Sequence, residues 1–376
     1  MNKKEILKDL QTRLSEILNM EQISKSISTC ECFVKKGHKM FYSHKTGTFC
    51  CPTCEITNAS LKTLTEISMG RSLTEEEFLS RVFQKYMKNE KDEYLQVIKD
   101  EAENEKIRKE SLLKINEDAF LVFKKYLSKN KKALKYLYGR GFTDEDIEKY
   151  HIGYSPNSNV MLKELGEKYS TKDLMYLGLI IENKENKGEY YDAFRNRIIF
   201  SLFDDDGNLI GFSGRVFGDN NSSSKYYNSK ASSLFVKNEV LYNLNNVKDK
   251  KFQQLFVCEG FMDAIAMDKN GINNVVATMG TAFTRQNAEK LKKISPNITI
   301  MYDGDEPGIN AANKAMEKIF ANLLILPEGK DPDEILKEKG KEFLLKYIDE
   351  NSIPWHRWKL EQMMSEETKN KKKKDA

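Results

Sequence analysis

The spacing of apolar positions changes character several times along the chain. In residues 1–29, Ile6, Leu10, Leu14, Ile17 and Leu18 recur at helical intervals, which predicts an amphipathic helical lead-in. Residues 30–70 instead carry clustered cysteines and a hairpin-like stretch, Met40–Cys50, turning at Lys45-Thr46-Gly47. From Thr74 to Lys109 the sequence is rich in Glu and Lys and free of proline. It lacks a continuous apolar stripe, the pattern of a linker or a solvated helix.

From Ile115 the pattern becomes that of a packed domain. A helical stretch ends at Gly139-Arg140-Gly141, and Thr143-Asp144-Glu145-Asp146 opens another with a capping signal. Beyond Tyr190, β character takes over. The apolar runs Ile198–Phe203 and Leu209–Val216 flank Asp204-Asp205-Asp206-Gly207-Asn208, a hairpin turn signal.

The last third alternates regularly. Strands are predicted at Leu255–Cys258, Val275–Thr278, Ile298–Tyr302 and Leu323–Leu326, with helices at Met262–Lys269, Thr284–Lys293 and Ile309–Phe320 between them. That order argues for a parallel sheet with helices on both faces, where ligands sit beyond the carboxyl ends of the strands.

At 376 residues the chain has room for two or three domains. A content of 39% hydrophobic and 31% charged residues fits a globular protein, and no apolar run reaches the length of a membrane span. The amino terminus mixes acids and bases without an apolar segment, so it is not a signal peptide, and a cytoplasmic protein is expected. Lys and Arg exceed Asp and Glu by four, 61 to 57, and the five lysines and one aspartate of Lys369–Ala376 account for that excess. The tail reads as a solvated end with weak attraction for phosphate. The body is neutral, so binding to nucleic acid requires its positive charge to be gathered on one surface.

Three of the predicted strands run directly into acids. The first gives Glu259-Gly260-Phe261-Met262-Asp263, the third Asp303-Gly304-Asp305-Glu306-Pro307-Gly308, and the fourth leads through Pro327 to Asp331-Pro332-Asp333. So many carboxylates on one sheet edge are costly unless a cation neutralises them, and hard oxygen ligands select Mg²⁺, Mn²⁺ or Ca²⁺. Singly, each motif is also what an ordinary Asp-Gly turn looks like; their succession at strand ends is what argues for a site.

Glu-Gly-hydrophobic-x-Asp followed by Asp-x-Asp-x-x-Gly resembles the Toprim pattern of bacterial primases, type IA and type II topoisomerases and some nucleases. The surrounding residues resemble the DnaG-type primases in particular. These are Tyr138-Gly139-Arg140-Gly141, His151-Ile152-Gly153-Tyr154, Phe194–Phe200, Gly211–Val216, Lys225–Ser229, and Leu234–Lys237 before Leu241-Tyr242. The resemblance runs from about Leu134 to about Gly340. Phe261 stands where the family usually has Tyr, and Pro307 where it has Ala; neither change removes a carboxylate.

The resemblance implies a multidomain α/β and α+β protein: a zinc-ribbon-like domain at 1–72, a helical linker at 73–112, and a mixed α+β basic subdomain at 113–252. A parallel α/β Toprim domain at 253–340 and a helical extension with the lysine tail at 341–376 complete it. It implies synthesis of RNA primers from ribonucleoside triphosphates on single-stranded DNA. Glu259, Asp263, Asp303 and Asp305 would be catalytic, and Asp303, Asp305, Asp331 and Asp333 would hold Mg²⁺ or Mn²⁺. Arg140, Arg195, Arg197, Arg215, Lys225 and Lys237 would contact template or triphosphate, through bidentate arginines and point-charge lysines.

Five of the six cysteines fall between Cys30 and Cys54, which favours a metal over disulfides in a reducing compartment. Cys51-Pro52-Thr53-Cys54 is a knuckle that presents two thiolates to Zn²⁺. The expected ligands are Cys30, Cys32, Cys51 and Cys54, with Cys50 spare and His38 and His44 also within reach. In the primases that this region resembles, the first pair is normally Cys-x-x-His, whereas here it is Cys-x-Cys. Cys258 reads as a small buried hydrophobe.

Two rival readings are a Toprim nuclease or topoisomerase, and a non-catalytic zinc-bearing replication accessory protein. A topoisomerase needs a nucleophilic tyrosine on a further large domain, ATP-linked Toprim nucleases carry a P-loop that this sequence lacks, and the intact acids argue against a non-catalytic role. Only a short stretch follows Gly340, with helical segments at Lys341–Tyr347 and Trp355–Met364, where cellular primases carry a helicase-binding domain. A phage or mobile-element version acting in a host cytoplasm, with a replicative helicase contacted differently, is therefore expected.

Overall fold

The computed structural model describes residues 5–364 except 6–7, 9–12, 15–17, 33, 35, 87–90, 219–223, 281, 328 and 362. The chain divides into two compact units, Met1–Arg108 and Lys109–Ala376.

In the first unit, Ile27, Thr29 and their polar neighbours favour extended chain, so the expected helical lead-in gives way to strands before residue 29. Strands β1 (Glu21–Ser24), β2 (Ile27–Glu31), β3 (Lys39–Ser43), β4 (Thr48–Cys51) and β5 (Ile56–Ala59) form an antiparallel sheet in chain order. Met40, Tyr42 and Phe49 are buried in it with Leu14 and Leu18, while Ile6, Leu10 and Ile17 lie outside the described residues. Helix α1 (Leu61–Met69) starts where the Ser60 side chain accepts from the Thr63 N–H, and α2 (Glu75–Tyr86) follows. The charged segment from Thr74 is thus not wholly solvated, because α2 buries Phe78, Leu79 and Val82.

Helix α3 (Lys91–Ser128) runs without a break through the expected linker boundary at 112. Its later turns bury Leu112, Ile115, Ala119, Val122, Phe123 and Leu127, a helical stripe. Phe123 meets Phe194 and Phe212 edge-on, and burying such a ring stabilises by about 2–3 kcal/mol. A Cβ at Gly153 would lie 2.5 Å from Phe123 Cβ, so glycine there lets the strand approach the helix.

After α4 (Lys131–Gly139) and α5 (Asp144–Lys149), whose Thr143–Asp146 capping box is formed, comes strand β6 (Ile152–Ser155). Helices α6 (Val160–Leu165) and α7 (Thr171–Tyr176) lead to a small antiparallel pair, β7 (Ile180–Glu182) and β8 (Tyr190–Asp192). Strands β9 (Arg197–Phe203), β10 (Leu209–Val216) and β11 (Tyr226–Asn228) then join β6 in an antiparallel sheet of order β11-β10-β9-β6. The Asp204 carboxylate accepts from the Asp206 and Asn208 N–H groups, which makes that acidic run a turn.

Past α8 (Leu244–Val247) the parallel sheet forms. It contains β12 (Leu255–Cys258), β13 (Val275–Ala277), β14 (Ile298–Tyr302) and β15 (Asn322–Ile325), in the order β13-β12-β14-β15. Helices α9 (Phe261–Lys269), α10 (Arg285–Lys292), α11 (Glu306–Met316) and α12 (Pro332–Asn351) connect and follow the strands, α12 bending at Gly340. Every residue of β12 and β14 is buried, as expected of strands covered on both faces. One hydrophobic cluster runs from Leu112 through Phe200 to Phe261 and Ile348, so the β11-β10-β9-β6 sheet and the parallel sheet share a core. Beyond α12, the indole N–H groups of Trp355 and Trp358 donate to Met316 O and Asn313 Oδ1. The tail Lys369–Ala376 lies outside the described residues.

Candidate active site

Parallel strands deliver their carboxyl ends to one edge, and that edge carries the acids. Glu259 follows β12 directly, and Asp263 sits in the first turn of α9, only 7% exposed. Asp303 follows β14. Asp305 begins α11, with its Oδ1 accepting from the Gly308 N–H at 2.8 Å. Asp331 begins α12 in the same way, accepting from the Glu334 N–H at 2.7 Å. Gly304 permits the crowding: a Cβ there would lie 2.3 Å from the Pro327 carbonyl oxygen.

The carboxylates disturb one another. Burial, then Glu259, Asp331 and Asp305, push Asp303 up to about 6, against the opposing pull of Lys225. Burial, then Asp331, Asp303 and Asp333, raise Asp263 well above the carboxylate range. Glu259 is raised by burial and by Asp305, and Asp331 chiefly by burial. Asp303 Oδ1 is buried without a hydrogen-bond partner. A cluster of crowded carboxylates with an unpartnered buried oxygen on Asp303 fits a hard divalent cation.

Bases from the preceding segment share a cavity with the acids. A cavity of about 660 Å³ is lined by Glu259, Asp263, Asp303, Asp331 and Asp333, and by Arg140, Arg215, Lys225 and Lys237. Arg215 Nη1 donates to Tyr226 Oη at 3.1 Å, and the guanidinium lies 5.7 Å from that ring's centre. Lys225 lies 5.9 Å from the same ring. Asp333 pairs with Lys337, and its Oδ2 is 3.9 Å from Arg140 Nη2.

Three expected residues do not line this cavity. Arg197 is buried, its guanidinium donating to the carbonyls of Gly214 at 2.8 Å and Ser224 at 3.1 Å, so it ties strands together instead of facing a ligand. Arg195 lies over the ring of Tyr191. Asp305 is exposed at its helix start, close enough to raise Glu259 and Asp303. Ser213 and Asn228, within two of the matched motifs but given no role there, also line the cavity, as do Met279 and Lys337, which no motif marks. Met279 holds φ +59°, a left-handed conformation unusual for its type, and the adjoining Gly280 was its only local signal.

In the first unit, ligand atoms of Cys32, Cys51 and Cys54 lie within 4.8 Å of one another. Cys32 and Cys54 sulfurs are 3.7 Å apart, and His38 Nδ1 is 3.4 Å from Cys54 Sγ. Cys30 is not in this group. It sits inside β2 opposite Met40, one strand repeat short of the edge where Cys32 turns toward the knuckle. His44 is engaged elsewhere, by Ser28 Oγ at 2.8 Å.

Residues 122–248 match the family of the DNA primase catalytic core, N-terminal domain, and residues 256–336 match the Toprim-like family. The chain is 36% identical over 248 residues to a DNA primase of Pseudomonas aeruginosa, covering 63% of this chain and 37% of that protein. It therefore spans well under half the length of that relative. A crystal structure of a DNA primase domain from the same organism aligns with a TM-score of 0.63 at 34% identity, covering 68% of this chain and 83% of that one. The structure of a primase catalytic domain bound to ssDNA aligns at 0.64 and 29% identity, covering 69% and 86%. The zinc-binding and RNA polymerase domains of the Aquifex aeolicus primase align at 0.59 and 27%, covering 91% and 83%.

Proposed function

Because the chain belongs to the DnaG-type DNA primase family, we propose that it synthesises short RNA primers on single-stranded DNA by nucleotidyl transfer. The observation that carries this reading is that one cavity is lined by Glu259, Asp303 and Asp331 together with Arg140, Arg215 and Lys225. The acids would hold divalent cations that neutralise a triphosphate, and the bases would take its phosphate oxygens directly.

Asp303, supported by Asp305, Asp331 and Asp333, would hold Mg²⁺ or Mn²⁺. When bound, such cations lower the pKa of an attacking 3′-hydroxyl and neutralise the pyrophosphate leaving group. Arg215 and Lys225 would hold the triphosphate, with Tyr226 fixing the orientation of both. Glu259, half-buried and raised by burial and Asp305, would accept a proton or orient the metal ligands. Asp263 acts from behind Gly260 as a positioning residue. Cys32, His38, Cys51 and Cys54 would hold Zn²⁺ in the module at 1–72, with the polymerase module spanning 113–340. Single-stranded DNA, ribonucleoside triphosphates and a replicative helicase are the proposed partners, in the cytoplasm. Among the described residues, no helix is long and apolar enough to cross a membrane.

Incorporation of a radiolabelled ribonucleotide on a single-stranded template tests the reading. Asp303→Asn should lower synthesis by about 10³-fold or more, as expected when a cation ligand is lost, while template binding by fluorescence anisotropy stays near wild type. Primer synthesis by this variant at the wild-type rate would refute the assignment.

A further inference from the structure

Besides Asp303 Oδ1 and Arg140 Nε, two uncharged polar atoms of residues lining the cavity have no partner. Ser213 on β10 is fully buried, and its Oγ makes no hydrogen bond; Asn228 on β11 is half-buried, and its Oδ1 makes none. The two residues are directly opposite each other in the β10–β11 register, and both line the cavity. Two residues along the same face comes the next cross-strand pair, Arg215 opposite Tyr226. Buried polar groups are ordinarily paired, and an unsatisfied pair in residues that line a substrate cavity is a place for a ligand group.

We propose that Ser213 and Asn228 recognise the ribose 2′-hydroxyl of the incoming nucleotide and so make the site selective for ribonucleotides. This deepens the primase reading and rests on it. A hydroxyl both donates and accepts: with the two side chains turned toward the cavity, its O–H would donate to Asn228 Oδ1, and its oxygen would accept from the Ser213 Oγ–H. A phosphate oxygen has no proton to give Asn228 Oδ1. Phosphate has its own cation nearby, because Arg215 is two residues from Ser213 on one face, about 7 Å along the strand. That spacing separates a phosphate from the sugar hydroxyls of one nucleotide. A base edge could also donate to Asn228, but a template-directed enzyme must accept all four bases, and the 2′-hydroxyl is the feature they share. Ser213 and Asn228 act through position, and neither belongs to the acidic cluster.

The test compares kcat/KM for each ribonucleoside triphosphate with its 2′-deoxy analogue, on single-stranded template with Mg²⁺, for the full chain and for Asn228→Ala and Ser213→Ala. The expected result is a ribo-over-deoxy preference that falls about tenfold in Asn228→Ala and several-fold in Ser213→Ala, the loss confined to ribonucleotides. A 3′-deoxy series run in parallel should show no change in preference. Equal losses for ribo and deoxy substrates would overturn the proposal, as would a loss that depends on the base. Should either variant fold poorly, equilibrium binding of ATP against dATP in Ca²⁺ to the other variant gives the same comparison. If the wild-type chain makes no primer on any template, the primase reading fails instead. In that case an ATP-over-dATP binding preference that Asn228→Ala abolishes still supports the hydroxyl site, and its absence overturns it.

Discussion

A methyl group on Gly260 would lie 2.7 Å from Asp263 Oδ2. Asp263 is buried, so the glycine in Glu-Gly-Phe-Met-Asp leaves room for its carboxylate against the backbone of residue 260. Gly260→Ala should therefore lower primer synthesis by about tenfold or more while costing about 1–3 kcal/mol of stability. Denaturant melts and primer assays on the same preparation would check this; full activity would show that Asp263 need not stay where it is.

Gly304→Ala meets a harder obstacle. The new Cβ would face the Pro327 carbonyl oxygen at 2.3 Å and the Leu326 carbonyl oxygen at 2.7 Å, and backbone cannot yield as a side-chain tip can. A loss of about 2–4 kcal/mol is expected in the unit that begins at Lys109, read as a lowered urea midpoint.

Arg197 and Arg215 should behave oppositely. Arg197→Ala leaves the Gly214 and Ser224 carbonyls without their donor and should cost about 2–4 kcal/mol of stability. Arg215→Ala loses one bond to Tyr226, about 1 kcal/mol, and should instead raise the KM for nucleotide. A stable Arg197→Ala protein with raised KM would reverse these roles.

In Mg²⁺-free buffer, stability should fall as pH rises. Asp303 sits at about 6 in the fold, whereas an unfolded aspartate titrates near pH 4. Between these values the native state binds more protons than the unfolded one, so its stability declines with increasing pH. Glu259, Asp263 and Asp331 shift in the same direction. The melting temperature should be higher at pH 5.5 than at pH 7.5, and added Mg²⁺ should raise it at pH 7.5 far more than at pH 5.5. A flat profile without Mg²⁺ would mean that the carboxylates do not crowd one another.

Zinc content separates Cys30 from its neighbours. Cys54→Ser and His38→Ala should lower bound zinc well below one ion per chain, as measured by atomic emission, whereas Cys30→Ser should retain it. Loss of zinc in Cys30→Ser with retention in His38→Ala would restore the ligand set expected from sequence.

Much of this was legible from local pattern. Continuous apolar runs at Leu255–Cys258 and Ile298–Tyr302 announce strands buried on both faces. The acids that follow them must then share an edge, because parallel strands all end on the same side. The amino terminus was harder to read. Ile27–Glu31 takes strand form because β3 offers a partner, and no local period announces a partner that lies beyond the next turn.

What sequence determined, then, was the set of acids at Glu259, Asp303 and Asp331 and the elements that carry them, since both follow from the order of residues along each strand. Which bases share a cavity with those acids was decided by tertiary structure. Arg197 and Arg215 lie in matching motifs, yet the pleat and pairing of β9 and β10 turn one guanidinium inward onto carbonyls and leave the other in the cavity. The same holds for Cys30 and Cys32. Two residues of extended chain are about 7 Å, enough to keep one thiol out of a cluster that the other joins.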